Sequence, residues 1–266
     1  MEIWWAFLLL GAVVGFVAGL LGVGGGAIMV PVLTTLFMSL NFLPEQVVHI
    51  ALATSMASII LTSIASTRTH QQHQAVLWPV VRLMSAGIVV GTFGATFIAA
   101  RVSALPLAIF FSVFMAYVAL QMLLNIKPKP SRHLPGAVGM TATGIGIGSI
   151  SALVAIGGGS LTVPFLTWCN VRVQQAIGTS AAIGLPIALS GSIGYAVAGW
   201  DQVGLPPFSL GYIYLPAVLL ISAVSFFTAP LGAKLAHRLP VATLKKIFAL
   251  LLIGLSAKML HSILSH

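Results

Sequence analysis

The sequence predicts an all-α polytopic membrane protein made of two inverted structural repeats, each a glycine-broken helical hairpin plus about three transmembrane helices. Three observations predict it. Of 266 residues, 59% are hydrophobic and only 6% charged, with a mean hydropathy of +1.09, whereas a soluble domain carries about 25% charged residues. Apolar stretches of about twenty residues, the length that crosses a hydrocarbon core, recur from end to end. Lastly, Gly24-Gly25-Gly26 with Pro31 five residues on returns as Gly157-Gly158-Gly159 with Pro164. A transmembrane β-barrel would instead show alternating segments of about ten residues, and no stretch is left for a soluble domain.

The first apolar segment covers 3–23 and runs into the glycines, each of which costs a helix interior roughly 1 kcal/mol relative to Ala. A short segment over 27–40 follows, ending at Asn41 and Pro44, then one over 47–66 and a polar loop, Arg68 to Gln74. Segments over 76–98 and 104–125 flank Arg101. Lys127 to Pro135, charged and proline-rich, reads as a linker. It divides the chain into a first repeat (1–126), the linker (127–135) and a second repeat (136–266). The second repeat shows 136–156, the glycines, a short 160–169, a turn at Asn170 to Arg172, and segments over 174–198, 210–232 and 241–261.

Offsets support duplication. The glycines and prolines match at 133 residues, Thr54-Ser55 and Thr179-Ser180 at 125, and Gly94-Ala95 and Gly232-Ala233 at 138. Matching order with small length changes is the signature of an internal repeat.

The short segments admit two topologies. Ten residues of helix rise about 15 Å, half of a roughly 30 Å core, so each half holds either one broken span or a hairpin that dips in and returns. The positive-inside rule separates them. With hairpins, Arg68, Lys127, Lys129, Arg132, Arg172, Lys234, Arg238, Lys245 and Lys246 share one side, and Glu2, Glu45, Asp201, Arg101 and Lys258 the other. The broken-span alternative divides the basic residues almost evenly. Hairpins are therefore favoured, with both termini outside and the linker cytoplasmic, although two full spans in place of each hairpin give the same sidedness. The net charge of +9 reflects these basic loops, so no nucleic-acid partner is expected. The N-terminus, with Glu2, lacks the basic region of a cleaved signal peptide. One cysteine, Cys169, excludes an intramolecular disulfide and a multi-cysteine metal site.

Inverted halves with interrupted helices suit a secondary transporter, whose substrate sits where the breaks meet. Backbone N–H groups opening a half-helix favour an anion, which directs attention to Gly24, Gly25, Gly26 and Ala27, and to Gly157, Gly158, Gly159 and Ser160. Pro31 and Pro164 lie too deep for a first helical position, leaving the helix starts open by a few residues. The competing reading is that these glycines only let helices approach, as Gly15-xxx-Gly19 and Gly87-xxx-Gly91 are expected to do. Gly22 to Ala27 also matches a dinucleotide fingerprint by letter, but it follows a span-length run rather than a strand, and no P-loop Lys-Ser/Thr follows either copy.

Thr54, Ser55, Thr179 and Ser180 offer hydroxyls to a ligand, or bond back to their own helices. Arg82 either snorkels to the interface or supplies charge to an anion path. His49 and His70 read as solvated interfacial histidines, and Trp4, Trp5, Trp78, Trp200, Tyr212 and Tyr214 as belt aromatics. No Asp or Glu falls inside a predicted span, so proton coupling would have to use His. An anion leaving an inside-negative cell gains about 2.3 kcal/mol per charge per 100 mV. No catalytic residue, metal site or cofactor is expected.

The paired Gly-Gly-Gly-xxxx-Pro motifs, Ala-Ile-Gly178-Thr-Ser and Gly-Ala-Lys-Leu-Ala-His-Arg-Leu-Pro resemble the TauE/SafE sulfite exporter family over nearly the whole chain. The resemblance implies transport of a small sulfur-containing anion, such as sulfite or an organosulfonate, outward across a bacterial inner membrane. It carries the glycines, Pro31, Pro164 and both Thr-Ser pairs over as motif residues. Where the second half has Gly178 the first has Ala53, so the two Thr-Ser surroundings need not be alike. A homodimer is compatible with this class. The alternatives are a transporter of another small organic anion and a non-transporting membrane scaffold.

Overall fold

The computed structural model describes residues 3–22, 24–124, 133–236 and 241–264, without the side chains of 241–247 and 262–264. Most of the expected linker (127–132) and four of the basic residues used for sidedness, Lys127, Lys129, Arg132 and Arg238, lie outside them, as does Glu2. The helices are α1 (Ile3–Leu21), α2 (Gly26–Ser39), α3 (Pro44–Gln72), α4 (Trp78–Arg101), α5 (Ala104–Leu123), α6 (Ala137–Val154), α7 (Gly159–Trp168), α8 (Val173–Ala198), α9 (Leu215–Ala236) and α10 (Val241–Leu264). A small hairpin, β1 (Ser209–Leu210) with β2 (Ile213–Tyr214), precedes α9. Among the described residues seven helices, α1, α3, α4, α5, α6, α8 and α9, are long and apolar enough to cross a membrane. The short α2 and α7 rise about 21 and 15 Å, less than a roughly 30 Å core.

Contacts between named residues fix how neighbouring helices run. The Phe7 and Phe37 ring centroids are 6.3 Å apart, and Gly25 lies against Val14 and Ala18. The end of α2 therefore returns to the start of α1, and the two form a hairpin rather than one broken span. Helix α3 crosses α8 antiparallel, with Met56 on Gly191 and Ser63 on Gly184. It runs parallel to α9, with Thr62 Oγ1 2.8 Å from Ser225 Oγ.

Each half packs chiefly on the other. Helix α1 lies along α9 as α6 lies along α4, and α3 meets α9 as α8 meets α4; α3 with α8, and α5 with α10, pair their own equivalents. Glycine makes the two long seams. Gly11, Gly15 and Gly19 sit on the backbone of Ile221, Ser225 and Ala229, and Gly87 and Gly91 on that of Thr141 and Ile145. This is the expected close packing. Apolar side chains gain nothing by leaving lipid for one another, so contact between small residues holds such helices together.

Four expectations change. Helix α3 continues through Arg68 to Gln72 where a loop was expected, because its 29 residues rise about 44 Å and its polar end can stand clear of the hydrocarbon. The stretch 209–214, expected to open a span at 210, is mostly the β-hairpin, with Gly211 at φ 55° in its two-residue turn. His49 and His70 are buried, not solvated: His49 Nε2–H donates to Ala99 and Val102 carbonyls at 3.2 and 2.9 Å. Tyr212 is buried and stacked on His49, and Tyr214 packs edge-on to Phe37 and Phe42, so neither is a belt aromatic. Trp4, Trp5, Trp78 and Trp200 are exposed, as a belt requires.

Candidate functional site

The two glycine turns touch. A Cβ on Gly24 would stand 2.7 Å from the Gly157 Cα, and one on either glycine would stand 3.5 Å from Ile59 Cγ2. Ile59 is at the middle of α3. The Gly157 carbonyl oxygen lies 3.2 Å from where a Cβ would sit on Gly184, at the middle of α8. The turns thus meet halfway along the two longest, most central helices.

Both turns are built alike. Gly25 and Gly158 are left-handed N-caps, at φ 79° each, a conformation that suits glycine. The Gly25 carbonyl takes the N–H groups of Ile28 and Met29, and that of Gly158 those of Leu161 and Thr162. The N–H groups of Gly26 and Ala27, and of Gly159 and Ser160, have no backbone acceptor among the described residues. They give each half-helix a partly positive end aimed into the protein. Pro31 and Pro164 are each the sixth residue of their helix, so Ala27 and Ser160 carbonyls lose the N–H they would otherwise accept. At the helix end before each turn, Gly22 (φ 67°) and Ala155 (φ 47°) are both left-handed. The alanine bears a strain of about 1–2 kcal/mol, and its carbonyl oxygen presses on Gly26.

The hydroxyls divide into two sets. Thr54 Oγ1 accepts the Tyr214 N–H at 3.0 Å and Thr179 Oγ1 the Leu77 N–H at 2.9 Å, while Ser180 Oγ donates to the Gly22 carbonyl at 3.0 Å. These three hold backbone in place. Ser55 and Ser160 are buried with no partner for Oγ among the described residues, and Ser55 Oγ lies 3.2 Å from where a Gly26 Cβ would sit.

Three residues escaped the sequence reading: Thr62, Ser63 and Ser66. A pocket of about 190 Å³ empty space, its open mouth included, is lined by Ala18, Gly22, Gly24, Gly157, Ala181 and the α3 hydroxyls of Thr62, Ser63 and Ser66. Its interior admits about one water molecule. Ser58, Thr62 and Thr69 bond back to carbonyls four residues earlier, as serines and threonines in helices commonly do. Ser66 does not, and its buried Oγ has no partner among the described residues. The signal lay in hydroxyls at 55, 58, 62, 66 and 69, spaced to share one helical face. Arg82 is exposed on α4. No cluster able to hold a metal ion occurs among the described residues.

Comparison with known proteins decides the family: the sulfite exporter TauE/SafE family matches residues 7–259. The chain belongs to that family. A relative from Haemophilus influenzae, described as a probable membrane transporter protein, is 40% identical over 257 residues, covering 95% of this chain and 96% of its own. Proteins with the same description from Methanocaldococcus jannaschii and Bacillus subtilis are each 23% identical. They cover 87% and 96% of this chain, and 86% and 96% of their own. No solved structure matches. The chain is a multi-pass membrane transporter of the TauE/SafE family.

Proposed function

We propose that the protein exports a small sulfur-containing anion, sulfite or an organosulfonate, through a site between its two glycine turns. The observation that carries this reading is the meeting of Gly24 and Gly157 at mid-helix, beside N–H groups of α2 and α7 and hydroxyls of Ser55, Ser160 and Ser66 that have no partner among the described residues. Neutral donors and two helix dipoles can hold an anion without a fixed counter-charge, and release it as easily. The family supports the sulfur oxyanion.

In this reading the halves are inverted repeats, supported by the antiparallel α3 and α8 and by the exchanged helix contacts. Both termini face the outside of a bacterial inner membrane, the 127–135 linker faces the cytoplasm, and the chain works as a homodimer. Purified protein in liposomes should move sulfite or a sulfonate, and Gly25→Leu with Gly158→Leu should abolish the flux. A parent rate in that double variant would sink the site. Movement of non-sulfur carboxylates with sulfur anions left behind would favour the other-anion reading.

A further inference from the structure

The pocket beside the turns has an unequal counterpart. Its α3 wall, Thr62, Ser63 and Ser66, lies between the middle of that helix and its His73 end, and Ala181 precedes Gly184 on α8. Because α3 and α8 cross antiparallel, all four stand on the His73 side of the turns. The offset of the Thr-Ser pairs, 125 residues, carries Thr62, Ser63 and Ser66 to Ile187, Ala188 and Gly191, and Ala181 back to Met56. Those positions lie on the other side of the turns, toward Asp201, and hold no hydroxyl. A Cβ on Gly191 would stand 3.1 Å from Met56 Sδ and 3.3 Å from Met56 Cγ, and one on Gly158 would stand 2.7 Å from Ile187 Cδ1. Met56 is fully buried. Its thioether fills the place that Ala181 leaves open in the pocket.

We propose that the hydroxyl-lined pocket is the route by which the anion reaches the turns from the His73 face, and that Met56 is the plug of the equivalent route from the Asp201 face. The route rests on the anion-transport reading. Ser66, buried and without a partner among the described residues, has a donor to offer an anion oxygen that has left water. The plugged side has polar groups of its own. Ser151, 133 residues after the pocket's Ala18, and Thr92, whose Cγ2 is 3.3 Å from the same Gly191 position, bury hydroxyls with no partner among the described residues. An unpaired buried hydroxyl is costly, so both gain once water or an anion oxygen reaches them. Methionine suits a plug. Unbranched and with three rotatable bonds, it can leave Gly191 by turning its own side chain, whereas a β-branched isoleucine is stiff at χ1.

The test compares thiols at two equivalent positions in the purified protein. An anionic methanethiosulfonate reagent, itself an organosulfonate, should modify Ser63→Cys at least about tenfold faster than Ala188→Cys, because the second thiol is reached only when a minor state moves Met56 aside. The parent, whose Cys169 is buried, sets the background. Met56→Ala should bring Ala188→Cys up to the Ser63→Cys rate and leave Ser63→Cys unchanged. Met56→Leu, which keeps the bulk, should keep Ala188→Cys slow. Should Met56→Ala not fold, Ala181→Met tests the same pair from the other side by slowing Ser63→Cys. Equal rates for the two thiols with Met56 in place, or a rise at both in Met56→Ala, overturns the proposal. Methanesulfonate should slow modification of Ser63→Cys by occupying the route. A rate contrast that holds while methanesulfonate and sulfate change nothing would overturn the anion-transport reading and leave Met56 as the plug.

Discussion

Thr54 Oγ1 accepts the backbone N–H of Tyr214 at 3.0 Å, joining a helix of the first half to the entry of a helix in the second. The mirror contact, Thr179 with Leu77 at 2.9 Å, joins them the other way. Both acceptors serve N–H groups just before a helix, where no helical carbonyl is available. Thr54→Val and Thr179→Val should each cost about 1–3 kcal/mol, the penalty of a buried donor left unpaired, read as a fall of several degrees in melting temperature. Substrate KM should hold steady. A large rise in KM with unchanged melting would put these hydroxyls on the ligand instead.

Ser66 should behave in the opposite way. Its buried Oγ has no partner, so Ser66→Ala removes an uncompensated polar group and leaves the melting temperature equal or higher. If the hydroxyl donates to a bound anion, apparent affinity for sulfite should fall about five- to tenfold, the worth of about one hydrogen bond. Unchanged affinity would place the ligand elsewhere.

The glycines separate by what surrounds them. A Cβ on Gly26 would drive into the Ala155 carbonyl oxygen, and one on Gly157 would stand 2.9 Å from the Gly24 Cα. Gly26→Ala and Gly157→Ala should therefore cost about 1–3 kcal/mol as overpacking and stop transport. Gly94 and Gly146 have open space at the same position, so alanine there should be neutral, or stabilising by up to about 1 kcal/mol, with transport intact. Equal damage at all four positions would mean that the turns are nothing more than packing sites.

Much of this was legible because a glycine triplet followed by proline is a local pattern and its second copy marks the duplication. The hairpin could be inferred from charge, since sidedness is written in the loops, and the contact of Phe37 with Phe7 bears it out. What stayed hidden depends on neighbours. Nothing in Ala155 announces a left-handed backbone, which glycine supplies at Gly22, the equivalent position. His70 and Tyr212 sit in polar stretches that read as interface, and only the helices packed around them bury the rings. Ser66 resembled any hydroxyl that bonds to its own helix until the turn opposite it was in view.

Sidedness has a direct check. Helices α3 and α8 are antiparallel, so His73, which ends α3, and Asp201, just past α8, lie at opposite faces. The Gln46 side chain donates to the Val203 carbonyl at 2.9 Å, tying the loop after α8 to the start of α3. The native cysteine should not interfere. Cys169 is buried, and burial pushes its thiol up from its ordinary range, so little thiolate is available at neutral pH. In right-side-out vesicles an impermeant maleimide should label Asp201→Cys quickly and spare His73→Cys, and inside-out vesicles should reverse the pattern. Labelling of both from one side would contradict the antiparallel crossing of α3 and α8. The opposite polarity would keep that arrangement and turn the whole protein over, with the glycine turns still meeting at the middle of α3 and α8.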